Sequence, residues 1–582
     1  MSSEPRDRVP LPAAGEPAPV GALPPPTLTF ARGPSVTLLR DESTAHPFAL
    51  AVAAAWSCYG ARPARIESVL RLVAEPAPVD LNPVKAADRA ARRQRAMRLY
   101  ADLFTAGHHT TLQHATFVFV LDNVSRLAIW SFFHSHPFYN SEQVSQRYRE
   151  VTGATMVAPD LPPAERAIYD AAIERALAGY QRLTELLTPD MAARYARVFP
   201  ARAKAKGPDA ARRMSGDVQR RAQEVARYVL PLATSAHLYH TINGLTLLRY
   251  HVLANQPDAP SEVRAIVNEM VRQVLEVDPY FLGAPGYPLD LRPLVADETP
   301  EALALARWRG ALANGEAETE AAIQAFDATL APWQNSRLAG HAPDAERLMA
   351  DAVRAVLAVT SETLPDAEAL ATVLNGARNP ALGHPLYLGM HSKLMQTMNH
   401  VGFTFQKRIS GAEDAQNQRH RGTLSSSPLL LAHQRREPDV IVPWAIRDNP
   451  EARAEYDATV RALWDAKNAL LDRGAPSEAA LYLLPNAHRV RFYESGTLLT
   501  YYWKWVKRLC YDAQREIFDT ALEEVAQVRA VFPEIGRHVD GPPCVMRSRS
   551  GSTPICPEGE RFCGVPVWRG HTFETLAKRR VM

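Results

Sequence analysis

Arg419, His420 and Arg421 stand side by side in the segment from Ala415 to Leu424, with Gln416 just ahead of them. Guanidinium forks match phosphate or carboxylate oxygens two bonds at a time. On a helix, Gln416, Arg419 and His420 share one face at spacing i, i+3, i+4. Gly422 to Ser427 then forms a small-residue loop in which an anion can approach backbone N–H groups. The chemistry on offer is anion recognition. A protein nucleophile is not evident, because no Ser or Cys occupies an elbow motif or stands beside a paired base. Cys58 and Cys510 read as buried small residues.

A metal centre is the competing reading. His108, His109, His114, His134 and His136 lie close together in sequence, but no carboxylate is spaced with them as in His-Glu-x-x-His. In the tail, Cys544, Cys556, Cys563 and His571 lack a Cys-x-x-Cys pair and read as unrelated thiols. No metal is expected.

The elements that must position the arginines come in duplicate. His114-Ala-Thr-Phe-Val-Phe119 is answered by His400-Val-Gly-Phe-Thr-Phe405, 286 residues on. Tyr169-Asp-Ala171 is answered by Tyr456-Asp-Ala458, each opening an amphipathic helix. Leu230-Pro231 and Glu262 are answered by Leu484-Pro485 and Glu516 at an offset of 254. The step between the two offsets implies an insertion of about 33 residues in the first half, between Leu187 and Gln223. That basic stretch, 188–222, reads as a solvated loop. Each half reads as α+β: a helix-rich domain with a short strand pair around Phe-x-Phe and further helices after the Leu-Pro.

The expected boundaries are a disordered Pro- and Ala-rich leader at 1–35, a first domain at 36–285, a linker near Asp278 to Pro300, and a second, more diverged copy at 300–540. A weakly structured Cys-containing tail at 541–582 completes the chain. A formal net charge of +3 argues against a general nucleic-acid binder, so an anionic partner must be met by local arginine clusters. No apolar run is long enough for a membrane span, and the leader lacks a basic-then-apolar signal pattern, which points to the cytoplasm. Five cysteines give no disulfide framework.

The order His, Phe-x-Phe, Arg-His-Arg, Leu-Pro, then Arg508-Leu-Cys-Tyr-Asp-Ala-Gln514-Arg-Glu516 resembles the flavin-dependent thymidylate synthase family. In the first half, the segments 107–114, 140–148, 224–234 and 240–250 resemble the same pattern. The family signature is Arg-His-Arg followed by Ser-x-Arg-Tyr, and each half keeps what the other lost. The second half has Arg419, His420 and Arg421 but Leu429 and Leu431 where Ser-x-Arg should follow. The first has Ser145, Gln146, Arg147 and Tyr148 but His134-Ser-His136 where the arginines belong. Arg227 is answered by Leu481, and Arg508 by Ala254. Asn243 is answered by Thr497, and Gln514 by Pro260. Gln113 and Asn399 stand where the family usually has Glu.

The resemblance implies conversion of dUMP to dTMP with methylenetetrahydrofolate as carbon donor, FAD as cofactor and NADPH as reductant. It implies that Ser145, Arg147, Arg227, Gln416 and Arg419 hold the substrate. Arg508 would stabilise charge on the pyrimidine, and Thr110, Asn243, Arg419, His420 and Arg421 would meet the flavin. Family members are tetramers with sites between subunits, so a homodimer of this fused chain would rebuild the assembly, with no nucleic acid or membrane partner. The departures leave open a second reading, a catalytically degenerate paralogue that binds flavin and nucleotide in a regulatory or unknown role.

Overall fold

A computed structural model describes residues 28–73, 82–147, 151–292, 294, 296–308 and 316–581. Two four-stranded antiparallel sheets of the same topology organise the chain. In the first, β1 (Ser35–Leu38), β2 (Thr116–Ser125), β3 (Asn140–Gln143) and β4 (Ser235–Asn243) lie in the order β1-β2-β4-β3. Two short strands, β5 (Gly283–Ala284) and β6 (Tyr287–Pro288), follow as a separate ladder. In the second sheet, β7 (Ser336–His341), β8 (Gly402–Ser410), β9 (Leu424–Ser426) and β10 (Arg489–Thr497) lie in the order β7-β8-β10-β9. The expected strand pair is thus the centre of a larger sheet, because β1 and β7 pair across a long sequence separation that local pattern does not reveal. The Leu-Pro of each half leads into a central strand before the next helix.

The halves join about a pseudo-twofold axis. Pro231 bridges to Pro485. Leu232 N–H donates to Leu484 O at 2.8 Å, and Asn486 N–H donates to Leu230 O at 2.8 Å. Ala233 N–H reaches Tyr482 O, and Ala487 N–H reaches Tyr228 O. Each bond maps onto its mate through the repeat, as in the self-complementary interface of a symmetric dimer. Two long helices, Pro163–Val198 and Pro450–Asp472, pack beside this seam, with Gly179 of one against Thr459 of the other. Tyr169, Leu183, Tyr456 and Leu463 belong to one buried cluster that spans both halves. Ser125 donates to Glu262 and Ser410 donates to Glu516, so each half clamps the end of a central strand to a helix far along the chain, Ser261–Val277 or Arg515–Val531.

One detail of register explains a slip in the repeat. The offset is 286 at His114/His400 but 285 at Ser125/Ser410. β2 carries an irregularity between Leu121 and Val124, where Asn123 adopts φ 55°, and β8 pairs with β10 without a break. A bulge inserts one residue on one strand only.

Several expectations are corrected. The basic insertion is a helical hairpin: Pro163–Val198 runs on through Pro189, and Pro200–Lys204 and Pro208–Ala226 follow. Pro200 and Pro208 sit at helix starts, where a missing N–H costs nothing. The stretch near Asp278 to Pro300 is no free linker, since Phe281, Leu282, Ala284, Leu289 and Leu291 are buried in the first core. In the tail, helices Pro543–Arg549 and Phe573–Arg579 bring Cys544 and Leu576 into the core of the second domain, and Val567 joins them from the turn between. Of the leader, residues 1–27 lie outside the described residues, whereas Leu28 is buried and Phe30 bridges to Pro159. Cys58 is exposed.

Candidate functional site

The helix Gly411–Asn417 opens at Ser410, whose hydroxyl accepts from Glu413 N–H, and ends two residues before Arg419. Gln416 is helical, while Arg419 and His420 lie in the turn beyond it, so the expected single helical face is a helix end followed by a turn. His420 N–H still donates to Asn417 O at 2.9 Å, which keeps the turn tight. Its base is held by a buried ionic cluster. Asn417 donates to Glu494 Oε1 at 2.8 Å, and Lys407 bridges Glu494 and Glu524 at 2.8 and 2.7 Å. Charges this deeply buried persist only when paired, so the cluster fixes where the turn can lie.

The turn borders a cavity of about 790 Å³ between the halves. The first half contributes Ser145, Arg147, Arg227 and Arg126; the second contributes Gln416, Arg419, His420 and Arg508. Arg508 Nε donates to His420 Nε2 at 2.8 Å, and its Nη2 donates to Gln416 O at 2.7 Å. Arg227 donates to Gln514 Oε1 of the other half at 2.5 Å. Arg147 pairs with Glu224 at 3.0 Å and donates to Asp512 O at 2.9 Å. Arg421 reaches back to Asn140 Oδ1 at 2.8 Å and lies over the Tyr139 ring. Seven of the ten residues singled out in the sequence therefore line one cavity. Arg421 stands beside it, and Thr110 and Asn243 do not line it. Thr110 is exposed in the turn His109–Gln113, and Asn243 caps the helix Gly244–Leu253 through Thr246 N–H. Tyr148 lies outside the described residues.

Electrostatically the cavity is short of negative charge. Burial, then the neighbouring Arg227 and Arg419, push Arg126 down to about 9. Burial, then Arg419 and Arg147, push Arg508 down to about 9 as well. Guanidinium stays charged at neutral pH, so the lowering records burial first and crowding by like charge second. Burial and the adjacent Arg508 and Lys504 cations hold His420 well below the usual imidazole value. Its Nε2 accepts from Arg508, which leaves the proton on Nδ1. The buried Gln416 Oε1 and Gln146 Nε2 have no hydrogen-bond partner among the described residues. A phosphate-bearing ligand would meet the clustered arginines, and a donor on it would satisfy Gln416 Oε1, so the residues present fit a nucleotide or a flavin dinucleotide.

Sequence reasoning missed Arg126, Lys507 and Arg561, all at the cavity. Arg126 follows Ser125, the mate of Ser410, and that position was available as a signal; Arg561 comes from the tail and had none. At the pseudo-symmetric position, Leu481 and Ala254 are buried apolar residues. There His134 stacks on Tyr139, with centroids 4.6 Å apart, and His136 meets Tyr250 OH at 2.8 Å. Burial lowers His136 to about 4, so it is neutral and offers an anion no charge. Among the described residues, no three His, Cys, Asp or Glu side chains stand together as a metal ligand set. No described helix is long and apolar enough to cross a membrane.

Fold and site together define a fused pair of α+β domains with an arginine-lined cavity between its halves. The sequence profile of the family described as thymidylate synthase complementing protein matches residues 40–280 and again 337–534. The chain belongs to that family and carries its domain twice. It is similar to the flavin-dependent thymidylate synthase of Geobacter sulfurreducens, 31% identical over 170 residues, which is 29% of this chain and 70% of the relative. The enzyme of the same name from Clostridium tetani is 26% identical over 180 residues, covering 30% of this chain and 65% of the relative. That from Mycolicibacterium vanbaalenii is 28% identical over 177 residues, covering 30% and 64%. The chain thus spans about two thirds of the length of these relatives.

Proposed function

We propose that the chain is a flavin-dependent thymidylate synthase, converting dUMP to dTMP with methylenetetrahydrofolate, and that it works through one composite site per chain. The observation that carries this reading is the convergence of Arg147 and Arg227 from one half with Arg419, His420 and Arg508 from the other on a single cavity. In this reading Ser145, Arg147 and Arg227 hold the phosphate and sugar, and Gln416 offers its unpartnered Oε1 to the ligand. Arg508, braced by His420 and Gln416, would face negative charge developing on the pyrimidine, where a fixed donor gives most. Arg419, His420 and Arg421 would hold FAD, which when bound supplies the hydride, with NADPH as its reductant. Thr110 and Asn243 lie outside this chain's cavity and would serve the flavin from a second copy, in a homodimer equivalent to four domains.

The test is an absorption spectrum of the purified chain, then anaerobic titration with dUMP and assay of dTMP formation on adding methylenetetrahydrofolate and NADPH. A flavin spectrum perturbed by dUMP with dTMP formed supports the proposal; a chain that takes up no FAD overturns it. One observation favours the alternative of a binding-only paralogue. The pseudo-symmetric position has Leu481 and Ala254 where the composite cavity has Arg227 and Arg508, so this chain already holds one copy of the position without its arginines. Nucleotide binding with no turnover would select that reading.

A further inference from the structure

The helical insertion has no counterpart in the second half, and together with the tail it builds a second cavity. This groove, about 560 Å³, shares Arg147, Asp512 and Arg561 with the composite site and leads away from it. Seven arginines line it against four carboxylates. Three of the four carboxylates are already engaged. Asp217 accepts from Tyr195 OH at 3.0 Å and pairs with Arg220. Asp512 and Glu224 pair with Arg221 at 3.0 and 3.4 Å. The outer arginines are not comparably engaged. Arg212 stands 3.9 Å from Asp209, with both side chains almost fully exposed. Arg213 meets no carboxylate at ion-pair distance among the described residues, and Arg202 lies over the Phe199 ring at 4.3 Å.

Two features narrow the occupant. Contiguity with the composite site means that the groove receives an extension of a molecule bound there. The outer arginines sit on separate elements, Arg202 on the helix Pro200–Lys204 and Arg212 and Arg213 on the first turns of Pro208–Ala226. A single phosphate needs one such fork, whereas a string of carboxylates uses several in succession. We infer that the groove is a subsite for the glutamate tail of the folate carbon donor, and that Arg202, Arg212 and Arg213 select donors carrying several γ-linked glutamates. This rests on the synthase reading above. Arg212 and Arg213 are exposed and touch no core, so replacing them leaves the fold intact.

The experiment uses the full chain with FAD and dUMP bound. Equilibrium binding of tetrahydrofolate bearing one or five glutamates is compared in the wild type and in R212A/R213A, with KM for NADPH measured alongside. The wild type should prefer the pentaglutamate roughly tenfold, the size expected of two or three exposed ion pairs, and more so at low salt. The double variant should lose that preference while keeping its monoglutamate affinity and its NADPH KM. Equal affinity for both tail lengths in the wild type overturns the subsite but leaves the synthase reading standing. A rise confined to the NADPH KM assigns the groove to the phosphate of the reductant and also overturns it. A chain that binds neither folate overturns both readings.

Discussion

Arg508 Nε donates to His420 Nε2 at 2.8 Å, so a cation and an imidazole that each repel a further proton share one hydrogen bond at the cavity wall. The bond holds only while His420 is neutral. Protonated imidazole would place two donors face to face beside Arg508, Lys504 and Lys407. Burial and these cations keep the folded His420 well below 6.5.

The sign of the pH effect follows. The unfolded chain binds the His420 proton below about pH 6.5 while the folded chain does not, so the folded state is favoured above 6.5 and loses ground as pH falls through it. Relative to His420→Gln, the wild type should lose about 1.4 kcal/mol of stability per pH unit below 6.5. Urea unfolding midpoints of both proteins at pH 7.5 and 5.5 measure this. Midpoints that shift in parallel would show that His420 titrates normally.

Arg508→Ala should separate activity from stability. Its guanidinium is pushed down by burial and by Arg419 and Arg147, so removing it relieves repulsion and leaves the melting temperature unchanged or raised. If Arg508 faces developing charge, turnover should fall about 10²- to 10³-fold, as loss of one fixed donor does elsewhere. Arg508→Lys should not rescue it, because Arg508 meets His420 Nε2 and Gln416 O from two separate nitrogens of a planar fork, a geometry that a single ammonium nitrogen does not reproduce. A large drop in melting temperature would mark Arg508 as structural instead.

Asymmetry of the halves predicts stoichiometry. Arg227 lines the cavity, and its mate Leu481 is buried in the apolar core. Calorimetric titration should count one dUMP per chain, and dUMP at a hundredfold excess over Kd should stabilise the fold by about 2.7 kcal/mol. Arg227→Leu should abolish that gain. Two nucleotides per chain would sink the single-site reading.

What could be read in advance was whatever depends on residue type at a repeated spacing. The two Phe-x-Phe strands, the paired Leu-Pro segments and the complementary losses around Arg147 and Arg419 all survive in one dimension. What failed depends on partners far away in sequence. The segment 188–222 looked like a loop because its Pro and basic residues resist helix-scale pattern, yet Pro200 and Pro208 begin helices. The tail looked loose because Gly and Pro abound, yet Arg547 donates to Gly383, Pro554 and Thr553 carbonyls and ties it to the second domain. Arg126 carries no motif of its own: its importance lies in facing Arg227 of its own half and Arg419 of the other, a proximity that only the folded chain creates.

The seam itself can be tested at Gly179. A Cβ there would stand 2.3 Å from Thr459 Oγ1, well inside contact distance, so the helices Pro163–Val198 and Pro450–Asp472 approach as closely as they do because Gly179 has no side chain. Alanine is otherwise the better helix former by about 1 kcal/mol, so an isolated helix would gain from Gly179→Ala. In the fused chain the clash should dominate and cost about 1–3 kcal/mol, by forcing apart the cluster that contains Tyr169, Leu183, Tyr456 and Leu463. Thr459→Ala removes both nearest atoms and should recover most of that loss in the double variant, although alone it is mildly destabilising. A double-mutant cycle by chemical unfolding reads the coupling directly, and additive effects would mean that the helices do not press on each other at this point. Because the composite cavity is built from both halves, Gly179→Ala should also weaken dUMP binding while Thr459→Ala restores it, linking the packing of the seam to the alignment of Arg227 with Arg508.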